Sequence, residues 1–207
     1  MQVYTCINVF IKIGEEMDKT SLNIINATMN LIMEKGYPLT TTKEIANRAG
    51  VNESTVFRKF GSKKDIVLNA MELREWNPDL AEDDFKGYSF DLKKDLLRFS
   101  HTYLDKVTPK FVKVSLGLRC PELYEYTKDG IMQVPMVFKK GLTNYFGEMY
   151  KRGKINSSDH ESLAVMFLSL NFGFVFFKAS FDDMLTSLLK ETYIENSVDI
   201  FVNGIKK

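Results

Sequence analysis

Residues 41–60 read TTKEIANRAGVNESTVFRKF, and this stretch decides how the N-terminal part of the chain folds. Thr41 and Glu44 have the spacing of a capping box, which begins a helix, and Gly50 ends that helix after about eight residues. Asn52 is placed to cap a second helix, which Gly61 ends. The pattern therefore predicts two short helices joined by a tight turn.

The apolar residues of this stretch fall where they hold two such helices together: Ile45, Ala46, Ala49, Val51, Val56 and Phe60. The outward residues of the second helix are then Glu53, Ser54, Thr55, Phe57, Arg58 and Lys59. They are small where the helix begins, which lets bases approach, and cationic where it ends, which suits phosphates. This pattern is typical of a helix-turn-helix, whose second helix enters the ~12 Å major groove of DNA. On spacing alone, a helical hairpin with solvated polar faces remains the alternative.

Helical spacing of apolar residues continues on both sides of this unit. A first helix is predicted at about Thr20–Lys35, ended by Gly36 as a left-handed cap, and a fourth from Ser62 to about Trp76. Residues 79–88 are acidic and are predicted to form a loop. Further helices are expected at about 89–107, 110–119, 132–152, 157–179 and 187–206, with Pro135 starting or kinking the third of these. The predicted fold is all-α, with about nine helices.

Composition excludes several classes of protein. The 207 residues are 44% hydrophobic and 27% charged, which excludes a disordered chain. The two cysteines, Cys6 and Cys120, and the two histidines, His101 and His160, form no cluster with metal-ligand spacing, so no metal is expected. Nucleotide, dinucleotide and hydrolase motifs are also missing from the sequence, so neither a cofactor nor an enzymatic activity is predicted.

Charge is unevenly distributed along the chain. Residues 18–64 hold eight Lys and Arg against four acids, a net +4, although the whole chain carries only +1. A basic head on a nearly neutral body indicates an anionic partner at one end of the molecule.

Residues 24–67, IINATMNLIMEKGYPLTTTKEIANRAGVNESTVFRKFGSKKDIV, closely resemble the DNA-binding region of tetracycline-repressor (TetR) family regulators. The matching features are Gly36-Tyr37, Thr40-Thr41, Ile45-Ala46, Ala49-Gly50-Val51, Thr55, Phe60 and Ser62-Lys63. The resemblance implies a three-helix head, a divergent helical body, a homodimer, a palindromic operator on double-stranded DNA, and repression that a ligand relieves. Phe57, Lys59 and Ser54 depart from the usual Tyr, His and Gly of the family, so operator preference is not transferred.

The resemblance and the outward face of the second helix together give a set of DNA-binding residues: Thr41, Thr42, Lys43, Asn52, Ser54, Thr55, Phe57, Arg58, Lys59 and Lys63. Lys63 matches a family lysine that meets phosphate where the fourth helix begins.

The body is expected to bind a small apolar or aromatic effector, since the family's ligand pocket is lined by segments four to seven. The aromatic, Met and His residues of those segments are Trp76, Phe99, His101, Tyr103, Phe111, Tyr124, Tyr126, Met132, Met136 and Phe138. Each of them has packing in the core as its alternative. The fourth helix is predicted to link this pocket to the head.

Residues 162–177 are apolar nearly all round, so the helix that contains them cannot leave a face in water. We expect a two-fold interface made by the last two helices. Its predicted residues are Met166, Leu170, Gly173, Phe174, Phe177, Ile194, Phe201 and Ile205. A single buried core helix in a monomer is the alternative.

Three regions follow: an N-terminal extension at 1–17 whose native start is in doubt, a DNA-binding domain at 18–78 with its helix-turn-helix at 41–60, and an effector-binding and dimerisation domain at 79–207. The apolar run of 16 residues is shorter than the ~18–20 that span a bilayer, so a cytoplasmic protein with no membrane partner is expected. A ligand-binding or adaptor protein of the same fold that does not bind an operator remains the second reading.

Overall fold

Residues 17–207 are described by a computed structural model, and they form nine α-helices. The helices are α1 (Lys19–Lys35), α2 (Thr42–Ala49), α3 (Glu53–Phe60), α4 (Lys63–Met71), α5 (Leu92–Lys106), α6 (Pro109–Gly117), α7 (Pro121–Lys151), α8 (His160–Phe181) and α9 (Lys190–Ile205). The all-α prediction is confirmed for this part of the chain. The predicted extension lies outside the described residues except for Met17.

The predicted end of α1 and start of α3 are confirmed but their caps differ in detail, and the predicted end of α4 is wrong. Gly36 ends α1 with φ 82° and ψ 160°, which is not the left-handed helical conformation. Asn52 occupies the N-cap position of α3 but makes no side-chain cap bond. Helix α4 ends at Met71, and Trp76 lies beyond it in a series of turns.

The largest difference concerns α7, which begins at Pro121 and runs for 31 residues. Proline fits the first turn of a helix, where its missing N–H has no partner to lose, so Pro121 starts α7. Pro135 lies inside the same helix and does not start one. The predicted loop at 79–88 contains a short 3₁₀ turn, Glu82–Phe85, because Phe85 is completely buried under α7.

Two hydrophobic clusters organise the described residues. The body cluster joins α5, α7, α8 and α9 around Phe99, Phe138 and Tyr145. The head cluster joins α1 to α4, and it also includes Val114, Leu118, Leu123 and Ile131 from α6 and α7. The head is therefore packed directly on the first half of the body, not tethered to it by a linker.

Helix α8 is the one described helix that is long and apolar enough to cross a membrane by length and composition. Within the subunit it buries one face through Leu163, Phe167, Asn171, Phe174 and Val175, which is also the behaviour of a core helix.

Candidate DNA-binding interface

The turn between α2 and α3 has the geometry that its caps predict. Thr41 Oγ1 accepts a hydrogen bond from the Glu44 amide at 3.3 Å, and the Glu44 carboxylate accepts one from the Thr41 amide at 3.1 Å. Gly50 ends α2 with φ 68° and ψ 36°, and the Val51 amide then donates to the Ala46 carbonyl at 3.0 Å. Glycine adopts this left-handed conformation without steric cost, so the tight turn depends on it.

Helix α3 buries one face and leaves the other open. Val56 is 1% exposed, and it packs in one cluster with Ile45 and Ala46 of α2. The predicted DNA-binding residues that are exposed are Thr41, Lys43, Asn52, Ser54, Phe57, Arg58 and Lys59. Those that are half-buried are Thr42, Thr55 and Lys63. Helix α3 is therefore packed on α2 through one face and exposes small and cationic side chains on the other, which is what entry into a major groove requires.

Glu53, the acid on the outward face of α3, is tied back to α2. The Thr42 hydroxyl donates to the Glu53 carboxylate at 2.5 Å. This bond joins the first turns of α2 and α3, so it fixes their relative position. It also occupies one oxygen of a carboxylate that would otherwise repel phosphate.

The cations of the head fall into two groups. Lys35, Arg48 and Lys59 form ion pairs with Glu44, Glu34 and Asp18 respectively. Lys19, Lys43 and Arg58 are exposed and pair with no acid among residues 17–207, and the half-buried Lys64 lies over the Tyr126 ring. The positive charge that is free to meet an external anion therefore lies at the starts of α1 and α2 and near the end of α3.

Lys63 has a structural contact that the sequence did not indicate. Its ammonium donates to the backbone carbonyls of Tyr37 at 2.8 Å and Thr40 at 2.6 Å, and it lies 3.9 Å from the centre of the Tyr37 ring. Burial lowers the pKa of Lys63. The phosphate contact stays a prediction, but this lysine also holds the α1–α2 connection, so removing it changes more than a charge.

Known proteins match this chain both in the region of α2 and α3 and along most of its length. The sequence model of the bacterial regulatory proteins of the tetR family matches residues 24–70, which include α2 and α3. The HTH-type transcriptional regulator YvkB of Bacillus subtilis (strain 168) is 30% identical over 189 residues, covering 91% of this chain and 98% of that protein. The chain belongs to the tetR family. It is therefore a helix-turn-helix transcriptional regulator and not an enzyme.

Solved structures of tetR-family proteins share the fold across the body as well. NalD of Pseudomonas aeruginosa, the secondary repressor of the MexAB-OprM multidrug efflux pump, is 17% identical with a TM-score of 0.66, over 91% of this chain and 96% of its own. PfmR of Thermus thermophilus is 18% identical with a TM-score of 0.68, over 89% of this chain and 99% of its own. At this level of identity the likeness shows the fold alone.

The residues predicted to line a ligand pocket in this tetR-family body are not brought together. Phe99 and Phe138 are completely buried in the body cluster, whereas Trp76 lies in the head cluster with its indole N–H donating to Asn26 at 3.1 Å. Four predicted residues are exposed on α7: Tyr124, Tyr126, Met132 and Met136. His101 is half-buried and lines none of the cavities described. The predicted residues of α7 are separated because side chains close in sequence point in different directions around a helix.

Only Tyr103 and Phe111 of the predicted pocket residues line the cavity between α5, α6, α7 and α8, which has a volume of about 240 Å³. The other lining residues are Val107, Ser115, Arg119, Ile131, Val134, Pro135, Leu168, Ser169 and Phe172. These come from α5, α6, α7 and α8, so no local sequence signal marks them as one site.

The predicted interface residues divide into two sets. Phe174, Ile194, Phe201 and Ile205 are buried inside the subunit, so their side chains stabilise its own core. Met166 and Phe177 are about half exposed, and Leu170 and Gly173 are partly exposed. The outward face also contains Val165, Phe172, Leu188 and Ile200, which sequence reasoning missed. Ile200 is 75% exposed, the clearest sign of an apolar surface that the subunit alone leaves uncovered.

Proposed function

We propose that this tetR-family regulator is a cytoplasmic repressor that binds a palindromic operator as a homodimer and is released by a small, mainly apolar molecule. The observation that carries the proposal is the open face of α3, with Ser54, Phe57 and Arg58 exposed on a helix that Val56 anchors from behind. Repression is the direction of control that the family resemblance implies.

The homodimer follows from the uncovered apolar face of α8 and α9. A groove of about 540 Å³ runs between these helices, with Met166, Leu170, Leu188 and Ile200 along it. Helices of a second copy fill such a groove when the two subunits are related by a two-fold axis. Two heads related in this way meet half-sites one helical turn of DNA apart, ~34–36 Å, and this symmetry requires a palindrome.

Release by a ligand requires a mechanical path from the cavity to the head. The fourth helix does not reach the cavity itself, because α4 ends at Met71 and none of its residues lines the cavity. Ile131 of α7 both lines the cavity and packs in the head cluster. It follows Gly130, where an added Cβ would lie 2.7 Å from Met71 Cε, so α7 and α4 are in close contact there.

Helix α6 gives a second connection. Ser115 and Arg119 line the cavity, and Gly117 lies between them. A Cβ at Gly117 would lie 3.0 Å from Ile32 Cγ2, so α6 touches α1 directly. A ligand that widens the cavity therefore displaces both α1 and α4. Its effect is limited to its differential affinity for the two states, typically ~1–3 kcal/mol, and operator DNA must weaken ligand binding equally.

Arg58→Ala tests the DNA-binding face, because Arg58 is exposed and unpaired within the described residues. Fluorescence anisotropy with duplex DNA from upstream of the chain's own gene gives the affinity at several salt concentrations. Loss of one phosphate contact should reduce the slope of log affinity against log salt by ~1. Lys151→Ala is the matched control, since Lys151 lies at the end of α7 with a side chain that is 73% exposed.

Two outcomes contradict the proposal. If the wild type does not bind this DNA, or binds it no better than a duplex of scrambled sequence, the adaptor reading replaces it. If Arg58→Ala and Lys151→Ala have the same slope as the wild type, DNA binds elsewhere on the molecule.

A further inference from the structure

Four polar side chains line the cavity between α5, α6, α7 and α8, and two of them, Tyr103 and Arg119, make no side-chain hydrogen bond with the described residues. The other two, Ser115 and Ser169, donate to backbone carbonyls of their own helices. The wall of the cavity is otherwise mainly apolar, with Val107, Phe111, Ile131, Val134 and Leu168. At ~30 Å³ for each molecule of liquid water, its volume of about 240 Å³ corresponds to about eight waters. The cavity is therefore of a size that suits one small organic molecule.

The first polar group is Tyr103, in the deep part of the wall. The side chain is only 1% exposed, and its hydroxyl makes no hydrogen bond with the described residues. Burial alone raises the pKa of Tyr103, which agrees with a phenol that has no charged or hydrogen-bonded neighbour. The phenol lines the cavity with its proton free, so a ligand oxygen there can accept a hydrogen bond from it.

The second polar group is Arg119, at the exposed rim of the cavity. Its guanidinium forms no ion pair and no side-chain hydrogen bond within residues 17–207, whereas many cations of the body are paired with an acid. Among the lining residues Arg119 is the only one that carries a charge. Guanidinium groups bind carboxylates and phosphates through two parallel hydrogen bonds.

We propose that the effector is a small apolar anion whose carboxylate or phosphate group is bound by Arg119 at the rim, whose body fills the cavity, and whose far end presents an oxygen acceptor to Tyr103. This inference rests on the proposed function, which gives the cavity its role, and it narrows the effector from apolar molecules in general to one class. The position of Arg119 two residues after Gly117 places the anionic group beside the α6–α1 contact. Binding of that group therefore acts directly on the contact between the body and the DNA-binding head.

The experiment measures binding of defined probes to the full chain by isothermal titration calorimetry. Decanoate, decyl phosphate and decanol share one apolar chain and differ only at the polar end, whereas ω-hydroxydecanoate adds the oxygen acceptor to decanoate. The proteins are the wild type, Arg119→Gln, Tyr103→Phe and the control Lys113→Gln. Lys113 is a cation of α6 that pairs with Asp182 and does not line the cavity.

We expect decanoate or decyl phosphate to bind the wild type at least about tenfold more tightly than decanol, as one charge-assisted contact predicts. The stronger of the two identifies the anionic group. Arg119→Gln removes this preference without changing decanol binding, and Lys113→Gln retains it. Tyr103→Phe removes only the advantage of ω-hydroxydecanoate over decanoate. Circular dichroism melting of each variant confirms that its fold is intact.

The role of Arg119 in binding an anionic group is overturned if the anionic probes and decanol bind the wild type equally. It is also overturned if Arg119→Gln and Lys113→Gln lose the same affinity for the anionic probes. Absence of binding by all four probes overturns the assigned class as a whole. An advantage of the ω-hydroxy probe that Tyr103→Phe leaves intact overturns the role of Tyr103. Operator binding by the ligand-free wild type is measured in parallel. If the wild type binds the operator, the proposed DNA-binding function stands even when the effector class is overturned.

Discussion

Asp18, the residue before α1, connects the start of α1 to α3 through one carboxylate. It accepts hydrogen bonds from the amides of Thr20 and Ser21, which caps α1, and from the ammonium of Lys59 on α3 at 2.8 Å. The hydrogen bond from Lys59 is the main reason that the pKa of Asp18 lies well below its usual range. Lys59 is therefore shared between the start of α1 and any phosphate that approaches α3.

Glu44 gives the residue-scale prediction. Hydrogen bonds, first from Lys35 and then from Thr41, lower the pKa of Glu44 from 4.5 to about 2. A lowered pKa contributes stability that is fully present above the unfolded value and is lost as pH falls toward the folded one. We expect Glu44→Gln to lower the melting temperature at neutral pH, and the difference from the wild type to shrink between pH about 4.5 and about 2.

The control for this measurement is Glu72→Gln. Glu72 is exposed just after α4 and forms no ion pair with the described residues. The melting temperature of Glu72→Gln should differ little from that of the wild type at every pH, since isolated surface carboxylates contribute little to stability. A Glu44→Gln difference that stays constant down to the lowest pH would show that the capping box does not depend on the charge of Glu44.

At the scale of elements, α7 determines how the body is assembled. Its first half packs on the head through Leu123 and Ile131, and its second half crosses the body cluster through Phe138, Leu142 and Tyr145. It also covers the 3₁₀ turn at Glu82–Phe85. One continuous helix thus belongs to both clusters, which gives the head and the body a common rigid element.

Two glycines of α7 offer a matched test of this packing. A Cβ at Gly141 would lie 2.8 Å from Phe85 Cβ, and Phe85 is completely buried with its ring edge-on to Phe99 and Phe138. We expect Gly141→Ala to lower the free energy of unfolding by ~1–3 kcal/mol, because neither backbone nor ring has room to move. Urea titration followed by circular dichroism measures the change.

Gly147→Ala is the control on the same helix. A Cβ there would lie 3.6 Å from His160 Nδ1, an ordinary contact, so the alanine should raise stability by ~0.5–1 kcal/mol through its lower unfolded-state entropy. If the free energy of unfolding changes in the same direction in both variants, helix propensity and not the contact with Phe85 determines the effect of Gly141→Ala.

At the scale of the whole molecule, the apolar surface of α8 and α9 is the feature that a single subunit leaves unsatisfied. Ile200 is its most exposed member, beside the groove that also contains Met166 and Leu170. Contiguous apolar surface of this kind marks an interaction site. The mass of the particle in solution therefore reports on the proposed dimer.

We expect the wild type to sediment at twice its chain mass of 23.9 kDa, and Ile200→Glu to sediment at the chain mass. Two buried carboxylates facing each other across a two-fold axis repel and lose their hydration, which favours dissociation. Met132→Glu is the control, since Met132 is 52% exposed on α7 outside this surface. If Ile200→Glu remains a dimer, the subunits associate through another face.

The amino-acid sequence by itself determined the head. Thr41, Glu44, Gly50 and Gly61 act on the backbone within one helical turn, so the ends of α2 and α3 are local properties and could be predicted. The all-α class and the approximate number of helices followed from the spacing of apolar residues. Residue spacing did not predict the start of α7, because a proline such as Pro121 fits a break between helices as well as a first turn.

Only the tertiary structure decided which residues share a site. Phe99 and Phe138 turned inward, Tyr124 and Met132 turned outward, and Arg119 and Ser169, 50 residues apart, came to one cavity. Likewise Ile194 and Phe201 serve the core of the subunit, whereas Ile200 faces outward. The physical reason is that a side chain's surroundings depend on the rotation of its helix against four or more neighbours, and that rotation is fixed by packing across the whole body and not by the residues next to it in sequence.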